Sequence, residues 1–344
     1  MFALQKYAVG EGNVRLTEVE RPKPGSKDAL IKVKACGICG TDIHIYKDDA
    51  FPFKPPVILG HEASGVIEEL GADVDGLSIG DPVISETYYY TCGECVYCKT
   101  GRANLCEARY SIGSGADGAM AEYVKVPAKN LHLIPKNISF VEAALTEPLT
   151  CCVHAVFEKA TLKPSDTVLL SGPGAIGLLC LQVVKLFGCR VVVTGTKKDE
   201  ERLEIARELG ADLTLYAEDS DTLRRVREFH GGPATAFECS GAVPATEFCL
   251  ETLPKGGRYV QIGLPAAPTP VDLNSVALKE LTITGAFATK PIWWLKTIDL
   301  MSEGKINLKR AITDIYKLSD WEKGFQDHIS GKGVKHVFDI ELGL

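Results

Sequence analysis

Between Cys36 and Glu62 the chain gathers the residue types that bind a divalent metal: Cys-Gly-Ile-Cys-Gly-Thr-Asp-Ile-His at 36–44, a Pro-rich link, then Gly60-His61-Glu62. A soft thiolate, an imidazole and a carboxylate suit zinc, and a catalytic zinc takes about three protein ligands and keeps one position open. Cys39, His61 and Glu62 supply such a set. Thr41, Asp42 and His44 lie between them, where they could orient ligands or carry a proton. The plain alternative is a small buried thiol and a hydrogen-bonded structural histidine. Two further stretches decide against it.

Four cysteines at Cys92, Cys95, Cys98 and Cys106 follow a C-x2-C-x2-C-x7-C spacing. Within one loop, four thiolates close a tetrahedral site with no open position, so a metal there is structural. An iron–sulfur cluster is the competing reading, but the spacing departs from ferredoxin runs and no Pro follows Cys106. Zinc is therefore expected, two ions per chain in all.

The third stretch is Ser171-Gly172-Pro-Gly174-Ala175-Ile176-Gly177. It follows a predicted strand and opens a predicted helix, the context that gives a GxGxxG meaning. Gly172 makes the tight turn, Gly174 admits a pyrophosphate to the backbone, and Gly177 lets helix and strand pack. The helix N-terminus favours the diphosphate. The next strand ends in Thr194-Gly195-Thr196-Lys197-Lys198 rather than in the carboxylate that grips an NAD ribose. Two lysines would favour a 2′-phosphate, so NADP(H) is expected over NAD(H); the alternative is a solvated helix start.

These residues need a scaffold. With 344 residues, two domains are the natural division. Residues 1–151 are β-rich with long loops, including Ala29–Val33, Ser64–Leu70 and Ala121–Val126. From about 152 to 290, strands at Thr167–Ser171, Arg190–Thr194, Ala211–Tyr216, Ala234–Cys239, Gly257–Gly263 and Thr282–Phe287 alternate with helices. That rhythm predicts a parallel, doubly wound sheet. Residues 291–344 begin as a helix and end in a strand that returns to the first domain. Glu147, where one domain gives way to the other, is a candidate outer or exchanging ligand.

A net charge of −7 argues against a nucleic-acid binder. The most apolar run, 174–184, is too short to span a bilayer. No signal-peptide pattern opens the chain, so twelve cysteines read as ligands and reduced thiols of a cytosolic protein, with no membrane partner.

Taken together, Gly37-Ile-Cys39-Gly-Thr41-Asp42-Ile-His44, Gly60-His61-Glu62, the four-cysteine loop, Glu147-Pro-Leu and the glycine turn resemble the zinc-dependent medium-chain dehydrogenase/reductase family, in its sorbitol (polyol) and threonine dehydrogenase branch. The resemblance covers essentially the whole chain. It implies an α/β architecture: a GroES-like catalytic domain (1–151 and 291–344, with a zinc lobe at about 88–108) and a Rossmann domain (152–290), the active site lying in the cleft between them. It assigns the metal to Cys39 and leaves Cys36 to packing.

It further implies a secondary alcohol, polyol or sugar-derived, oxidised to a ketone. The substrate hydroxyl is acidified by zinc, hydride passes to the nicotinamide, and the proton leaves through Thr41, the nicotinamide ribose and His44. Asp42 would hold the His61 tautomer. Cofactor contacts are expected at Thr196, Lys197, Lys198, Arg202, Cys239, Ser240, Ile262, Gly263, Phe287 and Ala288. Members are commonly dimers or tetramers. Phe287-Ala288-Thr289 stands where polyol dehydrogenases usually carry an Arg-Tyr pair, which points away from sorbitol itself. Trp293 and Trp294 are open between pocket-shaping and packing. A threonine-type 3-hydroxy amino acid is the runner-up substrate, and a non-catalytic zinc scaffold is the rival from another class.

Overall fold

The computed structural model describes residues 1–265 and 267–343, which form two compact units. The first comprises 1–147, 290–303 and 312–344; the second comprises 148–289 and 304–311.

The first unit is built on the long strands β1 (Asp28–Gly37) and β2 (Glu62–Leu70), which pair antiparallel over nearly their full length. Alternating β-branched and small residues suit the pleat, and the inward ones (Ile31, Val33, Ile67) are buried in the main core. The C-terminal strand Lys335–Asp339 pairs antiparallel with the end of β1, so the chain's tail closes this sheet, in line with the returning strand expected from sequence. Helix α1 (Gly40–Lys47) follows β1 directly, with Asp42 in its first turn and His44 and Lys47 in its last, matching the helix dipole. Trp294 is buried against Ile84, Ile134 and Ala143 and stacks on His132 at 5.7 Å between centroids. It is a packing residue.

The second unit carries six parallel strands: β3 (Thr167–Ser171), β4 (Arg190–Gly195), β5 (Leu213–Tyr216), β6 (Thr235–Glu238), β7 (Arg258–Gln261) and β8 (Thr282–Gly285). Their order is β5-β4-β3-β6-β7-β8, which reverses direction of growth at β3. That is the doubly wound fold, whose ligands sit beyond the carboxyl ends of the strands at the reversal. Val168, Leu169 and Leu170 of β3 are fully buried, as a strand covered on both faces must be. Helix α2 (Ala175–Lys185) leaves β3 through the glycine turn, and α3 (Glu200–Glu208) follows β4.

Among the described residues one helical run, 140–159, is long and apolar enough to cross a membrane by length and composition, but 72% of its 18-residue apolar window is buried inside the protein. It is a core element.

Candidate active site and dinucleotide site

Three side chains from three elements meet in the first unit. Cys39 is the N-cap of α1, His61 follows the tight Gly60 turn, and Glu62 opens β2. Their ligand atoms all lie within 4.8 Å of one another. Gly60 is obligatory here: its φ is +92°, and a Cβ would stand 2.7 Å from Met120 Cγ and 2.8 Å from Cys36 Sγ. Cys36 itself is buried in the core, away from ligand duty.

Glu62 is fully buried, and its Oε1 has no hydrogen-bond partner among the described residues. A buried carboxylate oxygen left bare is costly unless a cation meets it. A metal beside Cys39 and His61 is such a cation, so the donor set fits zinc. The other oxygen, Oε2, pairs with the ammonium of Lys335, which also donates to the Ile38 carbonyl at 2.7 Å. Burial would push the Lys335 ammonium down, but Glu62, Cys39 and Glu147 outweigh it and raise its pKa. Sequence reading missed Lys335.

Burial likewise works against a charged His61, yet the Cys39 sulfur, Asp42 and Glu147 raise it well above the ordinary imidazole range. Concentrated negative charge is what a divalent ion requires. Glu147 therefore acts on both His61 and Lys335, although it is not in the tight three-atom group.

Asp42 has a different task from the one expected. Its Oδ1 is 3.9 Å from His61 Nδ1, too long for a hydrogen bond. Instead Oδ2 accepts from the Cys39 N–H at 2.9 Å and Oδ1 from the Gly60 N–H at 3.1 Å. The fully buried carboxylate thus ties the two ligand-bearing segments together. Burial raises its pKa, against the pull of His61 and those N–H groups. Thr41 Oγ1 lies 3.7 Å from Cys39 Sγ, and His44 Nδ1 is 2.6 Å from Asp49 Oδ1 at the surface.

The four-cysteine loop also closes. Cys92 Sγ is 3.9 Å from Cys98 Sγ and 3.6 Å from Cys106 Sγ. Thiolates around a tetrahedral zinc stand about 3.8 Å apart for Zn–S bonds of about 2.3 Å. The Cys95 and Glu94 N–H groups pull the Cys92 thiol down to about 6. All twelve cysteines are free of disulfides.

In the second unit, Gly172 has φ +98°, and a Cβ there would strike Ser240 at 2.7 Å. Gly174 caps α2 with open space around it, and Ala175 and Ile176 start the helix. A Cβ on Gly177 would collide with the Gly172 carbonyl. Cys239 N–H donates to the Ser171 carbonyl, and the Ile262 and Gly263 N–H groups donate to the Glu238 carbonyl, each at 2.9 Å. These residues therefore gather at the carboxyl ends of β3, β6 and β7. Glu238, unnoticed in the sequence, organises them: its buried carboxylate accepts from Ser240 N at 2.7 Å, Gly241 N at 3.0 Å and Gln261 Nε2 at 2.6 Å. Phe287 and Ala288 follow β8, where Ala288 has φ +53° and its carbonyl is 2.8 Å from His154 Nδ1.

The cations after β4 are largely committed. Thr196 and Asp199 form a capping box, Arg202 is 3.1 Å from Asp199, and Lys197 Nζ is 3.4 Å from Asp219. Lys198 is exposed.

Residues 25–136 match the alcohol dehydrogenase GroES-like domain and residues 175–303 the zinc-binding dehydrogenase domain. The chain is 40% identical over 338 residues to a sorbitol dehydrogenase of Halalkalibacterium halodurans, covering 97% of this chain and 98% of that one. It is 38% identical over 342 residues to a D-arabitol-phosphate dehydrogenase of Enterococcus avium, with 98% and 97% covered. In structure it is similar to a zinc-binding dehydrogenase of Sinorhizobium meliloti 1021 bound to NADP, with a TM-score of 0.91, 30% identity and 98% of each chain covered. The chain belongs to the zinc-dependent medium-chain dehydrogenases, in the polyol and threonine dehydrogenase branch. It is an oxidoreductase acting on CH–OH groups.

Proposed function

We propose that the chain oxidises a secondary alcohol of a polyol, or of a sugar-derived polyol such as its phosphate ester, to the ketone, and reduces NADP+ in preference to NAD+. The first unit is the catalytic domain, with its zinc lobe at about 88–108, and the second the dinucleotide-binding domain. The observation that carries this reading is the buried, bare Glu62 oxygen beside Cys39 and His61.

Cys39, His61 and Glu62 would hold the catalytic zinc, with Glu147, whose charge acts on His61 and Lys335, as a candidate exchanging ligand, and Cys92, Cys95, Cys98 and Cys106 the structural one. Zinc held there supplies a Lewis acid that acidifies an alcohol hydroxyl, and the nicotinamide accepts the hydride. The chain's own groups carry the proton. Thr41 and His44, three apart on α1, share a helix face. Thr41 accepts the substrate's hydroxyl proton as it gives up its own, and His44 passes that proton to solvent, its Nδ1 held by Asp49 so that Nε2 is left as the base.

Preference for NADP+ is supported by the missing carboxylate at the end of β4 and by Lys198. Relatives acting on sorbitol and arabitol phosphate support a polyol, while Phe287-Ala288-Thr289 supports one other than sorbitol. Homo-oligomerisation is supported by β8, the last strand of its sheet, where Ile283 is exposed; an uncovered apolar edge calls for a partner strand. A cytosolic site agrees with twelve cysteines free of disulfides.

A screen of polyols, polyol phosphates and threonine-type hydroxy amino acids with each cofactor tests the substrate. Cys39→Ala is expected to abolish turnover on the best substrate while NADPH still binds. Unchanged turnover would overturn the ligand assignment.

A further inference from the structure

The C-terminal end of β5 lies beside that of β4: Gly195 is in register with Tyr216, and the Ala217 N–H donates to the Gly195 carbonyl at 2.8 Å. The next residue, Glu218, is thereby brought to the turn that follows β4. Both of its carboxylate oxygens stand 3.2 Å from the Lys197 backbone N–H. Its neighbour Asp219 pairs with the Lys197 ammonium. Across the same turn, Asp199 is occupied by the Thr196 N–H at 2.9 Å, the Thr196 hydroxyl at 2.7 Å and Arg202.

This turn is where a doubly wound fold meets the adenosine ribose. The Lys197 N–H at this turn already holds an anion that belongs to the chain. A 2′-phosphate, bearing close to two negative charges, needs that donor and the lysines and is repelled by a carboxylate in its place. A 2′-hydroxyl carries no charge and meets no such opposition.

We infer that Glu218 is a specificity-determining residue: it sits in the seat of the 2′-phosphate and limits, without reversing, the preference for NADP(H) that Lys198 supports. The inference rests on the dinucleotide reading of this unit. NADP(H) must displace Glu218 from Lys197 before its phosphate can settle against the backbone and Lys198, whereas NAD(H) leaves Glu218 where it is.

Glu218 is exposed, so Glu218→Gln removes the charge with little effect on the fold. Dissociation constants for NADPH and NADH, measured by fluorescence titration on the wild-type protein, on Glu218→Gln and on Lys198→Ala, test the idea without turnover. Glu218→Gln is expected to tighten NADPH about fivefold and to change NADH by less than about twofold, the size of one screened charge contact. Lys198→Ala is expected to weaken NADPH alone by a similar factor. If NADPH is unmoved or weakened in Glu218→Gln while the wild-type protein binds both dinucleotides, the inference fails and the dinucleotide reading stands. If the wild-type protein binds neither, both fail.

Discussion

The buried pair between Lys335 and Glu62 offers the sharpest perturbation of the metal site. Lys335→Met keeps the length of the side chain and removes its charge. The ammonium is almost fully buried and is the cation on Glu62 Oε2, so its loss leaves a carboxylate at zero exposure whose Oε2 has lost its ammonium partner. The Ile38 carbonyl loses its 2.7 Å donor at the same time. Breaking a buried pair in this way costs about 3–5 kcal/mol. For a protein of this size that is a fall of roughly 4–7 °C in midpoint. The measurement is thermal unfolding of the metal-stripped protein, comparing wild type, Lys335→Met and Lys335→Met/Glu62→Gln. The double variant removes both charges and is expected to recover most of the loss, because a neutral amide costs far less to bury than an unpaired carboxylate. Loading with zinc is expected to shrink the deficit of the single variant, since the ion supplies the missing positive charge. A single variant within about 1 kcal/mol of wild type, or a double variant no better than the single, would refute the claim that Glu62 is a charged, cation-dependent group.

Three further outcomes follow from the same geometry. Gly60→Ala should destabilise the first unit by about 2–4 kcal/mol, because left-handed backbone and contacts with Met120 and Cys36 act together; a denaturant midpoint within error of wild type would contradict this. His336 is buried, and burial with the adjacent Lys335 holds its imidazole below the ordinary value of 6.5 against the pull of Asp314 and Asp327. The unfolded chain then takes up a proton that the native state refuses, so this contribution is complete above about pH 6.5 and is lost below it, at up to about 1.4 kcal/mol per pH unit. His336→Gln should flatten stability between pH 7.5 and 5.5, and an unchanged slope would rule the histidine out. Cys106→Ser should release the zinc of the four-cysteine loop and expose residues 92–106 to protease while dinucleotide binding persists; an intact, protease-resistant loop would count against a structural metal.

What could be read in the sequence was the chemistry that lies close along the chain. The four cysteines span one loop, the glycine turn spans seven residues, and Cys39 with His61-Glu62 needs only one intervening link. The six parallel strands were legible because each is a short β-branched run between helical stretches, and their ends shifted by only one or two residues. Contacts made by the fold were not legible. Lys335 reaches the Ile38 carbonyl across 297 residues, and nothing around it in the sequence marks it as a buried cation. The family resemblance places Asp42 on His61, whereas its two oxygens are taken by backbone N–H groups of two segments. Glu218 meets Lys197 only because β4 and β5 pair in one register. Trp294 could have lined a pocket or filled a core, and its burial against Ile84, Ile134 and Ala143 with the stacking on His132 distinguishes the two.

Zinc content per chain, determined on the purified protein and on Cys39→Ala, tests the metal assignment most directly. About two ions in the wild type and about one in the variant are expected, the one that remains resisting chelation in the four-cysteine loop. Equal zinc in both proteins would contradict the assignment of Cys39 as a ligand of the catalytic ion.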